Sequence, residues 1–375
     1  MHAQHSTRGW RSEQGFTIVE MMIASVITMV IMGVAFTTFK DALSLNESVV
    51  QLTDSGQNLR AGTNLLVRDL LQAGRNIPSG GIAIPSGLGS VAIYRPSPPG
   101  TTLTFDNTTA TTLTAITTGF EKGPLVDGRP TDLITMLMDD PYLPPLGLYA
   151  SNAPTTLPRI AVDGSYFDVG GQTAWLQANG DESIAPVKVG DLFYFDGAGN
   201  TAIQTVTRIS GGTVYFETND PFRFNQRGAE AGSVMETLPQ TPYVATPAPG
   251  SPPAITIRRI FMLTYYVKED SPGVPRLMRM MNFFTAQALA GVIEDLKFSY
   301  DLVDGSTNPV DIDELPFTTT LAGQQVTYTA NQIRKVNLHV GVRSETKSAR
   351  TKDYLRNHVS TVVSIRNLAY VDRYE

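Results

Sequence analysis

The sequence predicts an α+β protein. A long N-terminal α-helix, membrane-spanning in its first half, packs on a C-terminal head of antiparallel β-sheet with an additional β-meander. Three observations carry this. Residues Phe16–Phe39 form a 24-residue apolar run holding one charge, Glu20. Apolar and small residues then recur at helical spacing through residue 70. Beyond residue 187 the chain changes to alternating apolar runs broken by turn-forming residues.

As a helix, the first run measures roughly 36 Å at 1.5 Å per residue, enough to cross a hydrocarbon layer roughly 30 Å thick. No later segment approaches it, so a single span is expected. Val49, Leu52, Gly56, Leu59, Thr63, Leu66 and Leu70 continue the pattern at spacings of three and four, a packing face. Gly74 and Pro78 supply the stop. The expected organisation is a leader over 1–15, a helix over 16–75 with 16–39 transmembrane, and a β-rich head over 76–375.

Within the head, VAIYR and TLTAITT between residues 79 and 130 are short strand candidates, TDLITMLMDD (131–140) reads as a strand, and the Pro-rich 141–158 reads as loop. In 187–218, DGAGN and SGG separate alternating runs, which predicts a three-stranded meander and a candidate β-subdomain. Strands are expected in 255–270, 275–284, 293–305, 333–346 and the C-terminal segment.

Composition narrows the function. The net charge is −6 and cysteine is absent. An acidic chain without clustered Lys and Arg does not suit nucleic acid. Without cysteine there are no disulfides, thiolate metal sites or thiol nucleophiles. No G-x-S-x-G elbow or phosphate-binding G-x-x-x-x-G-K-[ST] loop occurs. No enzymatic activity and no cofactor are expected. Of the four histidines, His2 and His5 lie in the leader; His339 reads as a strand residue and His358 falls in a polar segment. Asp301, Asp304, Asp311 and Asp313 cluster around Gly305. Oxygen-rich loops hold Ca²⁺, so these four form a candidate ion-binding loop, although their spacing departs from the calcium-loop pattern and a solvated acidic loop is the competing reading. Arg258, Arg259, Arg276 and Arg279 are expected on the solvent side of strands, and Tyr142, Trp175 and Tyr243 as exposed loop aromatics.

The N-terminus is more specific. A secretory signal peptide has a shorter apolar region and a small-residue cleavage site. A plain anchor explains the length but neither Glu20 nor Gly15 immediately before Phe16. A carboxylate inside the bilayer costs roughly 2.5–3.5 kcal/mol on insertion scales, so Glu20 needs a partner. GFTIVEMMIA (15–24) resembles the signal of type IV prepilins and type II secretion pseudopilins. That resemblance implies peptidase cleavage after Gly15, N-methylation of the new amine at Phe16, and docking of Glu20 against the N-terminal amine of a neighbouring subunit. In a helix the Phe16 amine and Glu20 would also stand at i,i+4. GDLFYF, LTYYV, PRLMRM, GVIEDLKFSY, IRKVNLHVGVRS and VVSIRNL, in that order, resemble the body of the PilW group of minor pilins. The resemblance implies a minor pilin that primes or caps the type IV pilus. Its partners would be other major and minor pilins, the prepilin peptidase and the inner-membrane pilus assembly platform. The chain would sit in the inner membrane with a periplasmic head before assembly, and in the fibre or at its tip afterwards. Two alternatives share the signal: a large type II secretion pseudopilin at the pseudopilus tip, and a pilus-anchored adhesin whose binding region would lie in 79–180.

Overall fold

The computed structural model describes residues 15–177, 186–227, 231–238, 252–270, 273–348 and 351–368. Its first element is α1 (Ile18–Gln72), 55 residues long, or roughly 80 Å. No residue of α1 is buried before Ser55. From there Ser55, Leu59, Gly62, Thr63, Leu66, Asp69 and Leu70 are buried. The upper part of the predicted packing face therefore meets the head, while Val49 and Leu52 stay exposed. The head reaches down α1 only as far as the 344–348 loop, where Gln51 Nε2 donates to Thr346 Oγ1 at 2.9 Å. α1 ends at Ala73. Gly74 follows with φ +77° and donates its N–H to Leu137 O at 2.8 Å. The left-handed backbone is freely open only to glycine, so the helix stops where the sheet begins.

The central sheet comprises β1 (Ile134–Asp139), β2 (Leu146–Leu148), β3 (Leu192–Gly197), β4 (Asn200–Thr205), β5 (Ile255–Asp270), β6 (Val274–Met281) and β7 (Gln287–Ala290), with the short strand Ile116–Thr117 beside β1. All pairings are antiparallel and β5 is the spine. β3 pairs with Ile255–Ile260, β1 with Ile260–Tyr265, β2 with Ile255–Ile257 and β6 with Leu263–Asp270. Such a strand is covered on both faces, hence the nearly continuous apolar run IFMLTYYV. A second sheet has the order β8 (Ile293–Leu302), β9 (Ile333–Arg343), β10 (Arg356–Ser364). α1 packs on β7, β9 and β10, and the main core fills the space between helix and sheets, with Leu59, Leu66, Leu70, Leu277, Leu338 and Val340 among its members.

Three expectations fail here. Residues 187–218 do not form one meander: β3–β4 is a hairpin of the central sheet, and Arg208–Ser210 with Thr213–Tyr215 is a hairpin of a separate four-stranded sheet completed by Arg159–Ile160 and Tyr166–Asp168. The chain changes partners at one step: Val206 N donates to Asp191 O at 2.8 Å, whereas Thr207 N donates to Tyr215 O at 2.9 Å. The Pro-rich 141–158 stretch contains strand β2. Trp175 is buried, not exposed, in an aromatic cluster with Phe167 and Phe193 that anchors a second core beneath the four-stranded sheet. Tyr142 is exposed as expected, and Tyr243 lies outside the described residues.

Candidate processing and assembly site

Gly15, Phe16 and Thr17 precede α1 in non-helical conformation. A side chain at Gly15 would meet nothing within 4 Å, and Phe16 is 87% exposed. The Gly15–Phe16 bond is thus unwound and open to a second protein. Thr17 is the helix N-cap, and with Glu20 it closes a capping box. Glu20 N donates to Thr17 Oγ1 at 3.2 Å, while Thr17 N and Oγ1 donate to Glu20 Oε2 at 2.9 and 3.0 Å. This satisfies two of the donors a helix start leaves without partners. It also differs from the expected i,i+4 alignment, because Phe16 lies outside the helix and Glu20 takes its intrachain bonds at i−3. Both bonds fall on Oε2.

Downstream, α1 offers an apolar surface on all sides. Ile18, Met21, Val26, Met29, Val30, Phe36 and Phe39 are more than half exposed, and the helix is long and apolar enough to cross a membrane. Serine and threonine within it return their hydroxyls to the helix backbone, as Thr28 Oγ1 does to Ala24 O at 2.7 Å. That makes them tolerable in lipid.

The head holds this helix by a lock that sequence reasoning missed. Asp69, its side chain 4% exposed, accepts from Tyr265 OH at 2.7 Å and from Arg279 Nε at 2.8 Å. Burial, and after it the Asp69 charge, pushes the Tyr265 hydroxyl far above its ordinary pKa. The one available signal was a carboxylate three residues past Leu66 on the packing stripe. Arg279 is consequently not a free solvent-face cation. Nor is Arg259, which is buried and donates through Nε to Asp140 Oδ2 at 2.8 Å and through Nη1 to Asp191 Oδ2 at 3.4 Å. Desolvation, partly offset by the Lys188 backbone N–H and the Arg259 charge, raises the Asp191 pKa.

The four aspartates of the candidate ion loop separate into individual roles. Asp304 folds its own turn: Oδ1 accepts from the N–H groups of Ser306, Thr307 and Asn308 at 2.7, 2.9 and 3.0 Å, and Oδ2 from Thr307 Oγ1 and Tyr328 OH. Those bonds, the Thr307 hydroxyl foremost, hold its carboxyl well below the usual range. Asp301 accepts from Asn337 Nδ2 at 2.9 Å and from Asp311 N at 3.2 Å, and Asp311 accepts from Ser299 Oγ. Asp313 is raised by desolvation and by the Asp311 and Asp132 charges. Among the described residues, no three His, Asp or Glu side chains form a group that could hold a metal ion. His339 and His358 lie on β9 and β10 with ring centroids 5.6 Å apart, and His339 Nδ1 meets Ser360 Oγ at 2.9 Å.

No curated protein and no solved structure matches the chain. Residues 10–36 match the family model of the prokaryotic N-terminal methylation motif. An N-terminal type IV prepilin-like signal therefore sits ahead of a membrane-length helix and a pilin-like α+β head.

Proposed function

We propose that the chain is a minor type IV pilin of the PilW kind, cleaved after Gly15 and methylated at Phe16, which primes or caps the fibre through α1. One observation carries the reading: a methylation motif leads directly into a helix in which no residue before Ser55 is buried. Such a surface needs lipid first and other helices afterwards. In the bilayer the head faces the periplasm. In the fibre, Glu20 Oε1 accepts from the methylated amine of a neighbouring subunit, and the capping box keeps the carboxylate pointed outward meanwhile. The partners are major and minor pilins, the prepilin peptidase and the inner-membrane assembly platform. A head of about 300 residues (76–375) is bulky for a subunit repeated along a slender fibre but fits at a tip.

The test is deletion in a piliated host. Few or no surface fibres in the deletion strain, restored by the wild-type chain and trace amounts of it in sheared fibres, support a minor pilin. Normal fibres with loss of protein secretion identify the large pseudopilin instead. Normal assembly with loss of surface attachment on removing 79–180 identifies an adhesin.

A further inference from the structure

The sheet β8–β9–β10 has two outer edges, and they are treated differently. That of β8 is covered. Tyr300 and Ile312 exchange hydrogen bonds at 2.8 and 3.0 Å, Leu302 N donates to Pro309 O at 2.7 Å, Phe298 N to Asp132 Oδ2 at 2.9 Å, and Leu296 O accepts from Asp132 N at 2.9 Å. That of β10 is bare among the described residues. β10 pairs with β9 residue for residue from Arg356 to Ser364, without a bulge, and among the described residues β9 is its only ladder partner. Ile365 N donates to Arg334 O at 2.8 Å, so odd-numbered residues turn their N–H groups toward β9. By the alternation of a strand, His358, Ser360, Val362 and Ser364 turn theirs outward. Consistently, His358 N is taken by the adjacent Asn357 Oδ1 at 2.8 Å.

Natural edges are blunted by lysine, proline, bulges or covering loops. NHVSTVVS (357–364) contains no lysine and no proline, and its flat register has no bulge. Its solvent face exposes Val362 at 60%, while Val359 and Thr361 are half-buried and Val363 is buried on the face toward α1. We propose that this edge accepts an extended segment of a different subunit as a fourth strand, by β-augmentation. The proposal rests on the assembly reading above.

Membrane geometry selects the occupant. Antiparallel pairing of two β10 edges needs a twofold axis normal to the sheet. Because α1 lies against that sheet, the axis would reverse one helix, and the two anchors could not enter one bilayer from the same side. Parallel pairing would put the two helices on opposite faces of the joined sheet, where they could not share a bundle. The guest is therefore not the β10 edge of a second copy but an extended segment of a different subunit. It alternates β-branched or small apolar residues toward α1 with small polar residues beside His358 and Ser360.

Hydrogen exchange with mass spectrometry on the full chain, in detergent and in sheared fibres, tests this. The peptide spanning 356–364 should gain about three protected amides in fibres, those of Ser360, Val362 and Ser364. The Ser360→Pro variant removes an N–H the β9 ladder does not use. It should melt like wild type in detergent and remain in membranes, yet be depleted from fibres at least about tenfold. If Ser360→Pro lowers the melting temperature, Val362→Lys, which places a charge on the same edge, decides in its stead. Fibres containing the chain with unchanged exchange, or a correctly folded edge variant assembling at wild-type level, overturn the proposal while leaving the assembly reading standing. A chain absent from fibres of a piliated strain overturns both.

Discussion

Replacing Asp69 with asparagine keeps the shape of the helix lock and removes its charge. The buried carboxylate accepts from Tyr265 OH and Arg279 Nε. Breaking a buried ion pair by removing one partner costs about 3–5 kcal/mol. The Arg279 side chain is 20% exposed, so water rehydrates it in part, and about 2–3 kcal/mol is the expected loss. At 2–4 °C per kcal/mol for a domain of this size, the melting temperature of the detergent-solubilised chain should fall by about 5–10 °C in calorimetry. A double-mutant cycle with Arg279→Met should return a coupling energy of at least about 1 kcal/mol. The alkaline limb gives a second readout. The Tyr265 pKa is raised in the folded state, so the folded chain keeps a proton that the unfolded chain loses near pH 10. Stability therefore falls as pH rises above about 10, and less steeply in Asp69→Asn. A variant melting within about 1 °C of wild type, with no coupling to Arg279, refutes the lock.

Four further outcomes follow from the same contacts. A Cβ on Gly62 would stand 2.7 Å from Ala290 Cβ, so Gly62→Leu should push α1 off β7, cost about 1–3 kcal/mol as overpacking does, and expose 55–72 to limited proteolysis. Arg259→Met leaves Asp140 and Asp191 buried without their cation and should destabilise the head by about 3–5 kcal/mol in denaturant titration. Glu20→Gln can keep the capping box with Thr17 while removing the charge. Helicity should be unchanged and recovery in sheared fibres should drop more than about 100-fold, as loss of one member of a buried pair implies; equal recovery would rule out a docking role. The Asp304 carboxyl, held below its ordinary pKa, contributes order that is complete above about pH 4 and disappears only as pH falls through the lower folded value. A carboxyl-carbon NMR titration with a midpoint near 3.9 would contradict that.

What the sequence disclosed follows from how local each signal is. α1 was legible because Leu59, Leu66 and Leu70 repeat at helical spacing, and β5 because an apolar run bounded by polar segments has few other homes. The processing segment was legible because GFTIVE is contiguous. Glu20's capping partner was also written there, in the T-I-V-E spacing, but the expected amine contact at Phe16 presumed a helix beginning two residues earlier. Asp69 and Arg259 were hidden because a charged residue on an amphipathic element defaults to solvent, and only partners 68 to 210 residues away bring these two inside. The same distance dependence split the predicted meander: nothing near Val206 says that Thr207 turns to Tyr215 in another sheet. Trp175 was misplaced because a short stretch around an aromatic residue does not reveal the neighbouring phenylalanines that bury it.

The central claim is that this helix is processed and assembled, not merely inserted. Its most direct test is N-terminal mass spectrometry of the chain recovered from membranes and sheared fibres, with and without a prepilin peptidase. A chain beginning at N-methyl-Phe16 only when the peptidase is present is the predicted result. A chain retaining residues 1–15 in both strains, or cut beyond Phe39, would contradict it and leave α1 an ordinary anchor.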